Sequence, residues 1–437
     1  MPVTSSRSPI APASLLTWTS LKPRVIPVQP FWSDSGVTAS IDLYDPQTYS
    51  DSAPHEAFAR LRATSPVHWQ DIPGQPGYWA VLKHADVELV ARTPGVFSAS
   101  LGGIVLEDGD EESLAGQREM LLAMDPPRHR WYRRPLIPSF GLRTIAGLED
   151  RIREITRNAL GAVEGRDQAE FVQDVAAVLP TTVTGELFGI PEQDWGHLHH
   201  LAELGTRAGD IGREDEGYTG REISIQMGMY GFQHASRRRE QGPRDDLTDV
   251  ILSADFGDGH HLSDAEFGAF FVQIFTAGQD TTQTMLAGGL LALLQHPEQL
   301  ALLRREPARI PLAVEEILRW ANPLHYFRRT ATEDTELRGV TIKAGDKVAM
   351  IYTSANRDED VFPDAQAFDI TRDPNRHLSF GLAEHFCLGV HLARLEGRVF
   401  FEELLDRYSR IELAGVPVRV RSNLNNGLNT LPVSLKR

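Results

Sequence analysis

The stretch Phe380-Gly381-Leu382-Ala383-Glu384-His385-Phe386-Cys387-Leu388-Gly389 contains the only cysteine of this 437-residue chain. A single cysteine excludes an intrachain disulfide and a cysteine-rich zinc site. A lone thiolate can be a nucleophile, or it can be the axial ligand of a haem iron, where it favours O–O cleavage. Gly381 and Gly389 let the backbone approach a flat macrocycle closely, and N–H groups at a helix start can hydrogen-bond the sulfur. The pattern therefore favours the haem-ligand role over a buried, inert cysteine.

The bulk composition is that of an ordinary globular protein, with 41% hydrophobic and 24% charged residues. A net charge of −16 argues against non-specific binding to nucleic acid. No stretch reaches the roughly 18 apolar residues of a membrane span, and the proline-rich start lacks the apolar run of a secretory signal. We predict a soluble, cytoplasmic protein with no nucleic-acid partner and no membrane insertion, in which residues 1–38 form an irregular N-terminal segment.

One long helix is the best-defined element of the sequence. Ser263 and Glu266 have the spacing of a capping box, and Pro297 marks the end of the helical pattern. The helix spans about 32 residues, or roughly 48 Å at 1.5 Å per residue, and must cross most of a large domain. Short strands are predicted at residues 77–82, 335–337, 340–342 and 347–352. Residues 101–118 are predicted as a loop, and residues 237–246 as a polar connector.

Polar residues interrupt this long helix at Ala277-Gly278-Gln279-Asp280-Thr281-Thr282. A carboxylate and hydroxyls inside an apolar helix are costly unless they are satisfied or used. The small Ala277 and Gly278 leave room for a diatomic ligand or a water against the backbone. A threonine hydroxyl can bond a carbonyl one turn back and open the helix locally. Asp280 and Thr281 could then relay protons; a polar patch that faces solvent is the alternative.

A third segment, Glu315-Glu316-Ile317-Leu318-Arg319, places an acid and a base at i and i+3. Such a pair can form a charge-assisted contact on one helix face. Taken alone it indicates little, since surface helices contain many such pairs.

Together the three segments resemble the cytochrome P-450 family. The cysteine loop is similar to that family's Phe-Gly-x-Gly-x-His-x-Cys-x-Gly, the long helix to its Ala-Gly-x-Asp-Thr-Thr, and Glu316 with Arg319 to its Glu-x-x-Arg. The resemblance covers residues from about 40 to the C-terminus, with one departure: Ala383 stands where the family usually has its second glycine. It implies a mainly α fold with small β sheets, a triangular helical prism with a long central helix over the haem, as a single domain of residues 39–437.

The resemblance implies a haem b (iron protoporphyrin IX) site with Cys387 as the axial iron ligand. His129 and Arg133, in a segment like the family's His-x-x-x-Arg, would bind the haem propionates together with Arg329 and His385. Asp280 and Thr281 would be catalytic. The remaining assignments are haem contacts at Ala277, Gly278 and Phe380, and a buried structural network of Glu316, Arg319 and Arg372.

The implied activity is that of a monooxygenase that inserts one oxygen atom from O2 into a lipophilic small molecule. Electrons would come from NAD(P)H through a ferredoxin and its reductase, and the basic run Arg128–Arg134 would be their docking patch, unless it is a partly solvated helix face. The substrate is expected to be a terpenoid, a steroid or an alkyl chain. His325 could help to orient it in a pocket whose expected walls are Val96, Phe270, Ile274, Leu324, Tyr326 and Leu428.

Three alternatives remain at this point. A peroxide-driven peroxygenase would keep the fold, but such relatives typically replace the acid–alcohol pair with an arginine that binds a fatty-acid carboxylate. A haem sensor that only binds would give Asp280 and Thr281 no role. A zinc-binding, non-haem protein would leave the other motifs unexplained, and its ligands would be His377, His385, Cys387 and His391.

Overall fold

The described part of the protein is mainly helical, as the sequence predicts. The structure is a computed structural model that describes residues 41–206 and 220–437, so the segment predicted for residues 1–38 lies outside the described residues. In chain order the helices are α1 (His55–Thr64), α2 (His84–Arg92), α3 (Glu111–Arg118), α4 (Arg128–Arg133), α5 (Leu142–Ala146), α6 (Glu149–Ala162), α7 (Val178–Leu187), α8 (Glu192–Thr206), α9 (Gly220–Gln241), α10 (Leu247–Ser253), α11 (Asp264–Gln295), α12 (Pro297–Arg305), α13 (Ile310–Ala321), α14 (Tyr352–Ala355) and α15 (Val390–Arg407).

The strands form small sheets beside these helices. They are β1 (Val67–Ile72), β2 (Gln75–Val81), β3 (Phe97–Ser98), β4 (Ala169–Glu170), β5 (Tyr326–Ala331), β6 (Thr335–Leu337), β7 (Val340–Ile342), β8 (Lys347–Ile351), β9 (Arg410–Leu413), β10 (Val418–Arg419), β11 (Leu428–Thr430) and β12 (Pro432–Lys436). The largest sheet has the order β1-β2-β8-β5-β3, with β2 and β8 parallel and its other pairs antiparallel. Smaller sheets pair β4-β12-β9, β10-β11 and β6-β7.

Helix α11 is the long helix that the sequence predicts, with 32 residues and the expected capping box at Ser263 and Glu266. Helices α7, α8, α9, α13 and α15 pack around it, and its apolar residues belong to the largest hydrophobic cluster. Because α11 is surrounded in this way, its polar centre is held inside the protein. Across residues 41–206 and 220–437, no helix has the length and apolar character that crossing a bilayer requires.

The central strand β8 is buried on both faces. Val348 and Met350 pack in one hydrophobic cluster, whereas Ala349 and Ile351 pack in another. This alternation follows from the two-residue period of a strand, and it explains why β8 is apolar at consecutive positions.

Two predicted loops are helical in part. Residues 101–118 end in α3, because the Asp110 carboxylate accepts a hydrogen bond from the Ser113 N–H at 2.8 Å and caps a helix whose first turn is acidic. Within residues 237–246, α9 continues to Gln241. Arg238 there is 3% exposed and pairs with Asp246 at 2.6 Å. The prediction was wrong at these positions because Asp110 caps a helix while it remains exposed, and because Arg238 pairs with Asp246 inside the protein.

Candidate active site around Cys387

The cysteine loop closes on itself before α15 begins. The Cys387 N–H donates to the Phe380 carbonyl at 2.8 Å, and the Gly381 N–H donates to the Leu378 carbonyl at 2.8 Å. Gly381 and Ala383 both have positive φ, +62° and +55°. Glycine adopts this left-handed conformation without strain and alanine does not. The loop therefore holds the thiol at the start of α15 at the expense of a strained Ala383.

The Cys387 thiol is partly accessible and has groups nearby that stabilise its ionised form. Burial raises the pKa of the Cys387 thiol, while the Gly389 N–H, Arg133 and Arg394 act in the opposite direction. A metal ion deprotonates a thiol that coordinates it. Without a metal, burial favours the protonated thiol, which is a poor nucleophile. The site therefore suits a cysteine that is ionised when it binds a metal.

Two histidine rings lie side by side, one of them in the cysteine loop. The ring centroids of His129, on α4, and His385 are 4.4 Å apart, and His129 is 1% exposed. Within the described residues, three of their ring nitrogens have no hydrogen-bond partner: Nδ1 and Nε2 of His129, and Nε2 of His385. Burial, followed by Arg133, lowers the pKa of His129 to about 4. Burial, followed by Arg329, holds the pKa of His385 well below its usual range.

This cluster fits the carboxylates of a haem. Buried polar nitrogens are normally hydrogen-bonded, and here the nitrogens of His129 and His385 lie near the guanidinium groups of Arg133 and Arg329. The arginines are themselves desolvated, since burial lowers the pKa of both. Two anionic propionates would supply acceptors to the histidines and charge to the arginines. The residues present therefore fit a haem whose iron Cys387 would bind and whose propionates the histidines and arginines would hold.

One stripe of α11 is accessible. Ala277 is exposed, and Ile274 and Thr281 are partly exposed, although the helix is otherwise largely buried. The spacing of three and four residues places them on one stripe. The Thr281 hydroxyl donates to the Ala277 carbonyl at 2.9 Å, one turn back, as the sequence predicts. A hydroxyl is thus held on the stripe where a ligand can reach it.

Asp280 faces another way. Its carboxylate accepts a hydrogen bond from the side-chain amide of Asn425, which lies between β10 and β11. Asp280 is 4% exposed and Asn425 is 1% exposed. The acid and the alcohol that are adjacent in sequence therefore lie on different sides of α11.

The structure corrects the reason given for Gly278. A Cβ at Gly278 would lie 3.0 Å from the Thr184 hydroxyl of α7. The missing side chain therefore allows α7 and α11 to approach each other, and it is Ala277 that borders the accessible stripe.

Glu316, Arg319 and Arg372 form the buried network that was expected. Arg319 donates all five of its N–H groups: two to Glu316 at 2.7 and 2.8 Å, and three to the carbonyls of Asn356, Ala365 and Ala367 at 2.8 to 3.0 Å. Both side chains of the Glu316–Arg319 pair are 0% exposed, and Arg372 reaches Glu316 at 3.2 Å. The network therefore connects α13 to residues 356–372.

Asn356 continues this network to the cysteine loop, and no sequence motif indicated it. Its amide donates to the Ser379 hydroxyl at 2.9 Å, and its oxygen accepts from the Leu378 N–H at 2.7 Å. The Ser379 hydroxyl in turn donates to the Leu318 carbonyl of α13 at 2.6 Å. The Glu316 network thus determines where the loop that carries Cys387 begins.

Several residues predicted for the substrate pocket lie in the core instead. Phe270 is 0% exposed and packs on Phe256 with centroids 5.9 Å apart. The Tyr326 hydroxyl accepts from the Leu106 N–H at 3.3 Å, and His325 contacts the Thr353 hydroxyl at 2.8 Å. The remaining placements are Leu428 buried in the largest cluster, Val96 packed on the sheet cluster, and Ile274 and Leu324 partly exposed.

The zinc alternative finds no support in the part of the chain that the structure describes, where no group of three or more His, Cys, Asp or Glu could hold a metal ion. His377 is 3.2 Å from Glu315, and His385 packs against His129. Two of the four ligands that this alternative requires, His377 and His385, therefore contact other side chains.

The basic run Arg128–Arg134 presents less charge than its sequence indicates. Arg128 pairs with Glu119 at 2.5 Å, and Arg130 pairs with Glu384 at 2.5 Å. Arg134 is exposed, and Trp131 beside it is 45% exposed. The surface is therefore a mixed one, in which an aromatic ring and a cation lie beside neutralised pairs.

Comparison with known proteins identifies the family. The cytochrome P-450 family model matches residues 226–436. Cytochrome P-450-terp of a Pseudomonas species is 36% identical over 408 residues, which cover 89% of this chain and 95% of that protein. A steroid C26-monooxygenase of Mycolicibacterium smegmatis is 36% identical over 405 residues, covering 90% and 93%. A Mycobacterium marinum cytochrome P-450, solved in complex with pseudoionone, aligns with a TM-score of 0.84 at 36% identity, over 94% of this chain and 100% of that one.

The chain therefore belongs to the cytochrome P-450 family. Its fold is the mainly helical one, with small sheets, that the family shares, and its activity is that of a P-450 monooxygenase. The haem-thiolate cofactor follows from the family, and the sulfur, histidine and arginine positions described above fit it.

Proposed function

We propose that this enzyme hydroxylates a lipophilic small molecule, a terpenoid, a steroid or a compound with an alkyl chain, using O2 and electrons from NAD(P)H. The observation that carries the proposal is the pairing of two sites: a half-buried thiol towards which the Gly389 N–H is directed, and a buried histidine pair, His129 and His385, whose ring nitrogens include three without a hydrogen-bond partner among the described residues. Both sites are suited to one haem, with its iron at the sulfur and its propionates at the histidines.

Cys387 would bind the haem iron, and His129, Arg133, Arg329 and His385 would hold the propionates. Haem bound in this way supplies the activation of O2, with one oxygen atom going to the substrate and the other to water. The balanced reaction consumes a substrate C–H bond, O2, two electrons and two protons, and it yields an alcohol and water.

The protein's own contribution is to control protons. Thr281 holds its hydroxyl on the accessible stripe of α11 through its bond to the Ala277 carbonyl, so this hydroxyl could hold and pass on a proton at a fixed position. Asp280 would carry protons towards Thr281 from the far side of the same helix.

The lipophilic character of the substrate is inferred from the stripe and from relatives. Ile274 and Ala277 give the stripe an apolar surface next to a single hydroxyl, which suits a ligand with few polar groups. One related structure was solved with pseudoionone, and a related enzyme is a steroid C26-monooxygenase.

The electron donors would be a ferredoxin and its reductase. Trp131 on α4 and Arg134 directly after it offer an exposed aromatic ring and an exposed cation in the same segment as His129 and Arg133. Charge complementarity accelerates the encounter with an acidic carrier. A cytoplasmic location, consistent with reduced NAD(P)H and a single thiol, is part of the same proposal.

Isotope labelling tests the reaction class. The purified haem-bound enzyme, supplied with a ferredoxin system and a panel of terpenoids, steroids and alkanes, is expected to incorporate one atom from labelled O2 into product. Labelled hydrogen peroxide without reductase serves as the matched arm. Product labelled from peroxide but not from O2 would overturn the monooxygenase proposal in favour of the peroxygenase, and product with neither oxidant would contradict both.

A further inference from the structure

The turn between β10 and β11, residues 420–427, is seated on α11. Asn425 donates from its side-chain amide to the Asp280 carboxylate. At the other end of the turn, a Cβ on Gly427 would lie 3.1 Å from the Thr284 hydroxyl. Asp280 and Thr284 are four residues apart and therefore share one helix face. The turn thus contacts α11 at two points, one of which is the acid.

The orientation of the Asn425 amide is determined by its surroundings. Its side-chain oxygen accepts the Gly427 N–H at 2.9 Å, so its NH2 group must point the other way, towards Asp280. Its backbone N–H donates to the Ser422 hydroxyl at 3.1 Å. The side-chain amide therefore cannot turn away from Asp280 without breaking the bond from the Gly427 N–H, and the bond to Ser422 holds the backbone of the residue in the turn.

The same turn pairs with a residue that the sequence analysis places in the substrate pocket. Asn425 forms an isolated β-bridge with Leu324, a partly exposed residue between α13 and β5. Leu324 is one of the three pocket candidates that retain exposure, with Val96 and Ile274. A molecule that contacted Leu324 would therefore touch a residue that is paired through its backbone with Asn425, whose side chain binds Asp280.

We propose that Asn425 is a positioning residue for Asp280, and that it makes proton delivery depend on how the turn of residues 420–427 is seated. The proposal rests on the proposed role of Asp280 as a proton carrier. The amide orients the carboxylate and favours its ionised form, because a donor to a carboxylate stabilises the charge. A substrate that shifts the turn would loosen this bond and change how Asp280 exchanges protons with the Thr281 side.

The test compares Asn425→Leu with Asn426→Leu in the haem-bound enzyme. Both asparagines fasten the turn, but the Asn426 amide donates to the carbonyls of Ala321 and Asn322, at 2.6 and 3.2 Å. In the pH profile of coupled product formation, Asn425→Leu is expected to shift the acid limb to higher pH by about one unit. More peroxide should be released per molecule of product. Asn426→Leu is expected to leave that limb in place. Equal shifts in both variants would overturn the proposal, since the turn would then act only as structure.

An infrared measurement supplies a readout that does not depend on turnover. The C=O stretch of protonated Asp280, assigned by its loss in Asp280→Asn, is expected to titrate about one pH unit higher in Asn425→Leu than in the parent protein. An unchanged titration would overturn the proposal. Should Asn425→Leu fail to fold, the nearly isosteric Asn425→Asp takes its place; its second carboxylate is expected to raise the Asp280 titration further, and no rise would count against the proposal.

The Asp280→Asn background separates this inference from the proposed function. Asn425→Leu is expected to add no further change to the pH profile there, because residues that act through one contact are not additive. If Asp280→Asn lowers coupling but Asn425→Leu does not move the limb, the positioning role fails and the role of Asp280 stands. If Asp280→Asn leaves coupling and the limb unchanged, the proposed proton role fails and this inference with it.

Discussion

Ala383 offers a quantitative test of the cysteine loop. Its φ of +55° lies in the left-handed region, which costs an L-residue roughly 1–2 kcal/mol and glycine almost nothing. Replacement by glycine also loosens the unfolded chain, which costs about 0.4–1 kcal/mol. The Ala383 methyl is exposed, so no packing is lost. The difference predicts that Ala383→Gly stabilises the protein by about 0.5–1 kcal/mol.

The assay is isothermal urea unfolding of the haem-bound protein. A domain of this size has an unfolding entropy of about 0.8 kcal/mol/K, so the same gain moves the Tm by only about 1 °C. A matched control is Ala308→Gly. Ala308 is exposed and lies in the short helical turn Pro307–Arg309, where glycine is expected to destabilise by about 0.5–1 kcal/mol. The reasoning is refuted if Ala383→Gly lowers the unfolding midpoint as Ala308→Gly does.

Three further predictions concern side chains on α11, α13 and α15. Thr281→Ala is expected to retain haem but to release peroxide at the expense of product, which peroxide and product assays on one sample will measure; full coupling would contradict the proton role. Arg319→Lys replaces five donors with three inside a buried pair and is expected to cost about 3–5 kcal/mol and most of the haem content, whereas Arg92→Lys, in an exposed pair, should cost under about 1 kcal/mol. Burial raises the pKa of Glu396 to about 8. Because the folded-state pKa lies above the unfolded one, the wild type loses stability as pH rises from about 4.5 to 8. Glu396→Gln should remove that loss. If the urea unfolding midpoints of the wild type and of Glu396→Gln depend on pH in the same way from pH 5 to 9, the prediction is contradicted.

Local sequence patterns predicted the elements that depend on neighbouring residues. The capping box at Ser263 and Glu266 gave the start of α11, and the i, i+3 spacing of Glu316 and Arg319 gave their ion pair. The Thr281 hydroxyl bonds one turn back, as its position in a helix predicts. Each of these contacts is made within four residues, so chain geometry alone determines it.

Contacts between distant segments could not be predicted in this way. The Asp280–Asn425 bond joins residues 145 positions apart, and the approach of Thr184 that requires Gly278 comes from another helix. Phe270 and Tyr326 have the size and polarity of pocket residues, but the direction of a side chain depends on how its element packs. Residue type indicates what a side chain can do, and the tertiary fold decides whether it meets a ligand or the core.

The most direct test of the central claim, that Cys387 binds haem iron as a thiolate, is the carbon monoxide difference spectrum of the dithionite-reduced protein. The account predicts a strongly red-shifted Soret band for the wild type and its loss in Cys387→Ser, because only a thiolate ligand pushes this much electron density onto iron. A folded wild-type protein that carries haem but lacks the red-shifted band, or a Cys387→Ser variant that keeps it, would contradict the account.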